Sequence, residues 1–152
     1  MTAPGKAQSA LAFFAAHVPE DAEYPHPPGA SLAREIEVAL RKGGLGASAF
    51  DNWRDSGWSI DACVNDHRFQ VFFAVWDEPR WLLVIETLDR VGFVGWLLGR
   101  RTPDTSNEVR QIARIVHELL SGLPYVSELS WDMRGPPDPA RGVPTPDDLP
   151  WA

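Results

Sequence analysis

The sequence is poor in cysteine and in positive charge, and it has no long apolar run. The one cysteine among 152 residues, Cys63, has no partner for a disulfide within the chain. Lys and Arg number 14 against 21 Asp and Glu, and the formal net charge of -7 leaves too few cations for a nucleic-acid-binding surface. The longest apolar stretch, Val91 to Leu98, is too short to span a membrane. We therefore expect a cytoplasmic protein that neither inserts stably into a membrane nor binds nucleic acid.

The sequence also lacks a catalytic or metal-binding constellation. His117 is followed by Glu118, but no second His follows at the spacing of the helical zinc-protease motif. Gly44 and Gly46 follow a predicted helix rather than a strand, so they do not reproduce the glycine pattern of dinucleotide-binding proteins. We therefore predict no metal, no cofactor and no enzymatic activity.

What the chain does contain is a run of three predicted antiparallel strands from Gly57 to Leu88, rich in β-branched and aromatic residues. A two-residue turn at Asn65-Asp66 joins the first two strands. This turn predicts the pairs Val64 with His67, Ala62 with Phe69, Ile60 with Val71 and Trp58 with Phe73. Since the inner three pairs are all apolar, the register is consistent with one buried face.

The second strand of this meander is apolar on both sides. Phe72 and Trp76 point to one side, and Val71 and Phe73 point to the other. A three-residue second turn buries Trp81, Leu83 and Ile85, and it places Glu86 on the Phe72 side with Asp61 and Gln70. A small domain has helices for one face only, so we expect the N-terminal helix, the tail or another protein to cover Phe72 and Trp76.

Helical patterns flank the meander. The Ala-rich stretch from Ala7 to Val18 predicts an N-terminal helix, and a second helix follows Ser31. The strongest helix runs from Thr105, in a predicted capping box with Glu108, to Gly122. Alternation from Tyr125 to Arg134 then predicts a fourth strand, which adds beside either the first or the third strand of the meander.

Between the meander and the strongest helix, the segment from Asp89 to Arg101 is apolar and rich in glycine. We expect a crossover that packs Phe93 and Leu97 under the next helix. Because Arg100 and Arg101 follow, the alternative is a loop that contacts a membrane or a partner.

Together these elements predict an α+β fold with one mainly antiparallel four-stranded sheet, made of the three-strand meander plus a C-terminal strand, and helices on one face. Residues 1–135 form a single domain, of which residues 1–28 are an N-terminal helix and a loosely packed Pro-rich loop. Residues 136–152 form an extended Pro-rich tail, which docks either on its own domain or on a partner.

The candidate partner-binding surface combines acidic and aromatic side chains of the sheet and of the segment that leads into it. Its predicted members are Asp51, Trp53, Arg54, Asp55, Asp61, Phe72, Trp76 and Glu86. Such a surface is typical of a module that binds another protein with a basic surface.

In size, acidity and element order the chain resembles two groups of small bacterial proteins, the immunity proteins of toxin systems and the acidic chaperones of type III secretion. The resemblance implies a protein-binding module, foremost an immunity-type inhibitor that neutralises a toxin or effector. A chaperone that dimerises and holds an effector segment along Phe72 and Trp76 is one alternative. A small-ligand-binding protein or enzyme that uses Trp53, Arg54 and His117 is the other, and the sequence leaves both monomer and homodimer open.

Overall fold

The computed structural model describes residues 9–89, 91–101, 103–133, 138 and 140–151. These residues form three α-helices and seven strands. In chain order the elements are β1 (Ser9–Ala16), α1 (Ala30–Lys42), β2 (Gly46–Ala47), β3 (Asp51–Trp53), β4 (Gly57–Val64), β5 (His67–Asp77), β6 (Arg80–Thr87), α2 (Phe93–Leu97), α3 (Ser106–Gly122), β7 (Val126–Asp132) and a 3₁₀ turn (Pro146–Asp148). The predicted α+β class is confirmed.

The strands form one antiparallel sheet in the order β2-β4-β5-β6-β1-β7, with β3 also paired to β4. The prediction of four strands is wrong, since the sheet has seven. The short strands β2 and β3 extend the edge beside β4, and β1 lies between β6 and β7. The C-terminal strand therefore pairs with neither end of the meander directly.

The N-terminal segment is an inner strand of the sheet, so the prediction of a helix from Ala7 to Val18 is wrong; residues 7 and 8 of that prediction lie outside the described residues. Alanine favours helices locally, but tertiary pairing overrides so weak a preference. In β1 the small side chains of Ala10 and Ala12 are fully buried on the helix-covered face. Phe13 alternates to the other face, beside Leu82 of β6.

The first hairpin confirms the predicted register. Trp58 pairs with Phe73, Ile60 with Val71, and the remaining pairs follow to the turn. Asn65 and Asp66 have φ values of 50° and 64°, the left-handed conformations that a two-residue hairpin turn needs. In β6, Trp81, Leu83 and Ile85 are buried as predicted, and Glu86 lies on the opposite face.

Two long helices cover one face of the sheet. The buried side chains of α1 include Leu32, Ile36 and Leu40, and those of α3 include Ile112 and Leu120. Each such side chain contributes about 1.5–3 kcal/mol when it leaves water. The predicted capping box is not formed, because Thr105 makes no side-chain cap. Asp104 instead accepts hydrogen bonds from the backbone N–H and the hydroxyl of Ser106.

The apolar segment before α3 does not pack as predicted. Phe93 and Leu97, the two side chains expected under α3, are both exposed on α2. The core under α3 is already filled by side chains of the sheet and of the two long helices, Ile85 and Ile112 among them. The crossover therefore carries an exposed apolar helix.

The described part of the Pro-rich tail packs on its own domain; the predicted boundary at residues 135 and 136 lies outside the described residues. Val143 exchanges two backbone hydrogen bonds with Trp131 of β7. The carboxylate of Asp147 accepts from Arg110 at 3.2 Å and from Arg114 at 2.7 Å on α3, and the side chain of Leu149 is buried. The tail thus lies against the helical layer.

Candidate surface for partner binding

The face of the sheet opposite α1 and α3 forms the candidate site, and we call it the open face. It is apolar at its centre, and no helix among the described residues covers it. Its central side chains are half-buried among their neighbours in the sheet. These side chains are Phe13, Phe72, Ala74, Leu82 and Val84. The register aligns Phe72 with Val84 and Leu82 with both Ala74 and Phe13.

Aromatic side chains line the open face along much of its length. The rings of Trp53 and Phe72 are 4.8 Å apart, and those of Phe13 and Trp76 are 6.3 Å apart, both within the range of favourable aromatic pairs. Trp76 remains 52% exposed. The predicted residues Phe72 and Trp76 therefore lie on one surface, and Trp53 joins them from the neighbouring edge.

The position of Trp53 follows from the tight turn between β3 and β4. Arg54 and Asp55 have φ values of 53° and 58°, and the N–H of Ser56 donates to the carbonyl of Trp53 at 3.1 Å. The Asn52 side chain fixes Asp55 through two hydrogen bonds of 2.8 and 2.9 Å. The guanidinium of Arg54 lies 5.0 Å from the Trp53 ring centroid, a cation–π contact.

The predicted acidic residues border this apolar centre. Asp61 pairs with Gln70, which pairs with Glu86, so the three form one polar row across β4, β5 and β6. Asp51 pairs with Ser59 and therefore faces the same side. Asp51, Asp55, Asp61 and Glu86 are all exposed. The predicted surface thus presents four carboxylates and one cation, Arg54, around an apolar centre.

At the other end of the open face the sheet contains a groove that the sequence did not reveal. Phe13 pairs with Ser130 and Ala15 with Ser127, so Glu128 and Leu129 together oppose Phe14 in a β-bulge. Glu128 has a φ of 55° there. The residues that line the resulting cavity of about 690 Å³ include Phe13, Trp76, Arg80, Glu128 and Leu129.

The groove was missed because its parts come from three distant segments of the chain. The sequence predicts Phe13 in a helix, and Arg80 and Glu128 meet it only through the pairing of β1 with β6 and β7. The available signal is the alternation of small and large residues from Ala10 to Phe13, which is compatible with a strand.

The structure separates the residues that an enzyme or small-ligand site was expected to combine. Trp53 and Arg54 lie at the open face, whereas His117 lies in the helical layer and its Nδ1 accepts a hydrogen bond from Trp131 Nε1 at 3.0 Å. Burial lowers the pKa of His117, and the negative charge of Asp147 partly opposes this effect. His117 therefore has a structural role in contact with Trp131.

The described residues also bear on metal binding and membrane insertion. Among them, no three His, Cys, Asp or Glu side chains come together as a potential metal site. Cys63 is exposed, on the open-face side of β4 beside Arg68. Within the described part of the chain, no α-helix has both the length and the hydrophobicity that a membrane-spanning helix needs.

Comparison of the chain with protein-family models, with curated proteins and with solved structures finds no match.

Proposed function

We propose that this protein is a small acidic protein-binding module that binds the basic surface of a partner protein through its open face. The observation that carries the proposal is the uncovered apolar centre of the sheet, where Phe72 and Trp76 lie within a border of carboxylates. Exposed apolar patches with polar rims mark interaction surfaces. In its more specific form, the proposal is that binding neutralises a toxin or effector, as an immunity protein does.

The distribution of side chains supports a protein partner. Interfaces concentrate binding energy in aromatic and Arg residues near their centre, surrounded by a polar rim. Trp53, Phe72 and Trp76 supply such a centre, and Asp61 and Glu86 lie on its border. The groove beside Trp76 fits one apolar anchor side chain of the partner, with Arg80 and Glu128 at its walls.

The charge of the surface indicates the kind of partner. Among the predicted surface residues, four exposed carboxylates outnumber the one cation, Arg54, in a chain of net charge -7. Arg68 lies on the same side of the sheet, and its charge is paired with Asp89. A basic partner surface is attracted to the four carboxylates, and the attraction raises the association rate and weakens with salt.

The test is a capture experiment followed by measurement on the purified pair. Wild-type protein, Trp76→Ala and Asp61→Arg are immobilised, and the basic protein that wild type retains is identified and purified. Because hot-spot aromatics contribute 2 kcal/mol or more, we expect Trp76→Ala to weaken its binding about 30-fold. Asp61→Arg lowers the association rate and its salt dependence.

Matched controls lie outside the open face. Val38→Ala removes an exposed apolar side chain of α1, and Glu118→Arg makes the same charge change as Asp61→Arg on α3. Unchanged affinity of Trp76→Ala and Asp61→Arg, with losses in the controls, would refute the proposal.

The inhibitor role needs its own readout, because binding alone does not show it. The captured protein is expressed in cells together with wild type or Trp76→Ala, and growth is recorded. We expect wild type to relieve the growth defect that the captured protein causes, and Trp76→Ala to fail. A captured protein that remains unfolded in the complex would instead indicate the chaperone function.

A further inference from the structure

We propose that the loop from Val91 to Arg101, which carries α2, docks reversibly on the surface of an anionic phospholipid bilayer. The inference does not rest on the proposed function, because it uses a different part of the chain with the opposite charge.

The loop exposes an apolar patch on one side of α2. Phe93 is 65% exposed, Val94 70%, Leu97 61% and Leu98 71%. Phe93 and Leu97 are four residues apart, as are Val94 and Leu98, and Val94 and Leu97 are three apart, so the four side chains lie next to one another. None of the five described residues of α2 is buried, and the Phe93 ring stacks with Trp96 at 6.0 Å. A stable fold does not require this arrangement, since the patch packs against no part of the core.

Two arginines stand at the end of this patch. The guanidinium of Arg101 donates to the carbonyls of Arg100 and Trp96 at 2.9 and 3.3 Å, and it lies 5.9 Å from the Trp96 ring. Among the described residues no carboxylate forms an ion pair with Arg100 or Arg101. The segment from Val91 to Arg101 contains no acidic residue. Its positive charge is therefore available to a partner.

Two aspartates that flank the loop in sequence make hydrogen bonds outside it. Asp89, just before it, accepts from the backbone N–H of Arg68 at 2.9 Å. Asp104, just after it, accepts from the Ser106 hydroxyl at 2.7 Å.

The positive charge of Arg100 and Arg101 is complementary to anionic lipid headgroups, so we infer that a bilayer covers the patch. Phe, Trp and Leu beside arginine are typical of segments that lie in the interface of a membrane, where the rings enter the headgroup region and the cations contact anionic lipids. A basic protein, the kind of partner proposed for the open face, would be repelled by Arg100 and Arg101. The apolar run is too short to cross the membrane, so docking is peripheral.

Vesicle co-sedimentation tests the inference with two lipid compositions. One set of vesicles contains phosphatidylcholine alone, and the other contains equal parts of phosphatidylcholine and phosphatidylglycerol. We expect wild type to bind the anionic vesicles and not the neutral ones. The double variant Phe93→Ser with Leu98→Ser lowers the partition coefficient at least about tenfold, because it removes the apolar area that enters the interface.

Arg100→Gln tests the charge and lowers the partition coefficient about fivefold. Its matched control is Lys42→Gln on α1, which gives the same net charge, since -7 becomes -8 in both. Val38→Ser is the control for the apolar change. Both controls bind as wild type does, and melting temperatures verify that all variants fold.

Three outcomes would overturn the inference. Wild type that binds neither set of vesicles excludes a membrane role, and equal binding to both sets excludes anionic lipid as the partner. A third outcome is a change in the sedimentation coefficient of the protein alone on Phe93→Ser with Leu98→Ser, which would identify a second copy of the chain as the occupant of the patch.

Discussion

The two faces of the sheet differ in what their apolar side chains accomplish, and strand β5 shows this most directly. Phe73 is fully buried beneath the helices, with the Trp81 ring 6.3 Å away. Its neighbour Phe72 points to the open face, where its ring lies 4.8 Å from that of Trp53 in a tilted pair and stays partly exposed. The two residues are chemically identical, so their surroundings alone determine whether they stabilise the fold or remain available for binding.

The largest expected effect separates these two phenylalanines. Phe73→Ala leaves a cavity in the core, and we expect it to lower the free energy of unfolding by about 3–5 kcal/mol. Phe72→Ala removes an aromatic pair on a half-exposed surface, so its cost is about 1 kcal/mol. Denaturant unfolding of both variants measures the difference. Equal losses would show that the open face is packed as tightly as the covered one.

The covered face was largely predictable from the sequence, because its signals are local. In the first hairpin, alternating side chains and a turn at Asn65-Asp66 fix the register within a few residues. The burial of Trp81, Leu83 and Ile85 followed from the same alternation. The predicted acidic and aromatic residues also share the open face, since alternation in paired strands determines which side each faces.

What was not predictable depends on contacts between distant segments. The Ala-rich segment before His17 has a local preference for helix, and its pairing with Leu82 and Ser130 is invisible in the sequence around it. The groove depends on the same pairing and on a bulge at Glu128. The exposure of Phe93 matches the alternative interpretation of its segment, and the sequence could not choose between the two, because the choice depends on a core that other elements fill.

A smaller effect is expected from the end of the tail, where Asp147 and Leu149 lie on the helix-covered side of the molecule. Leu149 is buried against the helical layer, and we expect Leu149→Ala to lower the free energy of unfolding by about 2 kcal/mol. Because Leu149 packs on the helix-covered side, away from Phe72 and Trp76, partner binding should be unchanged at a temperature where the variant is folded. Calorimetric titration measures the affinity. A loss of affinity would show that the tail also contacts the partner.

The smallest expected effect is the dependence of the free energy of unfolding on acidic pH, and it arises from His117 on the helix-covered side. Burial holds the pKa of His117 below its ordinary value of 6.5, so below pH 6.5 the unfolded chain binds a proton that the folded chain does not. The free energy of unfolding therefore falls as the pH falls below 6.5. Protonation also removes the acceptor for Trp131 Nε1. We expect His117→Gln to flatten this part of the stability profile.

His17→Gln is the control, because His17 is an exposed residue just after β1. Its stability profile should follow that of wild type. The hydrogen bond to Arg114 lowers the pKa of the Asp147 carboxylate. Asp147 therefore stabilises the fold above pH 3.8, its ordinary pKa, and loses that effect only at lower pH. The two contributions are therefore separated along the pH axis. Parallel profiles for His117→Gln and wild type between pH 6.5 and 3.8 would mean that His117 is not desolvated in solution.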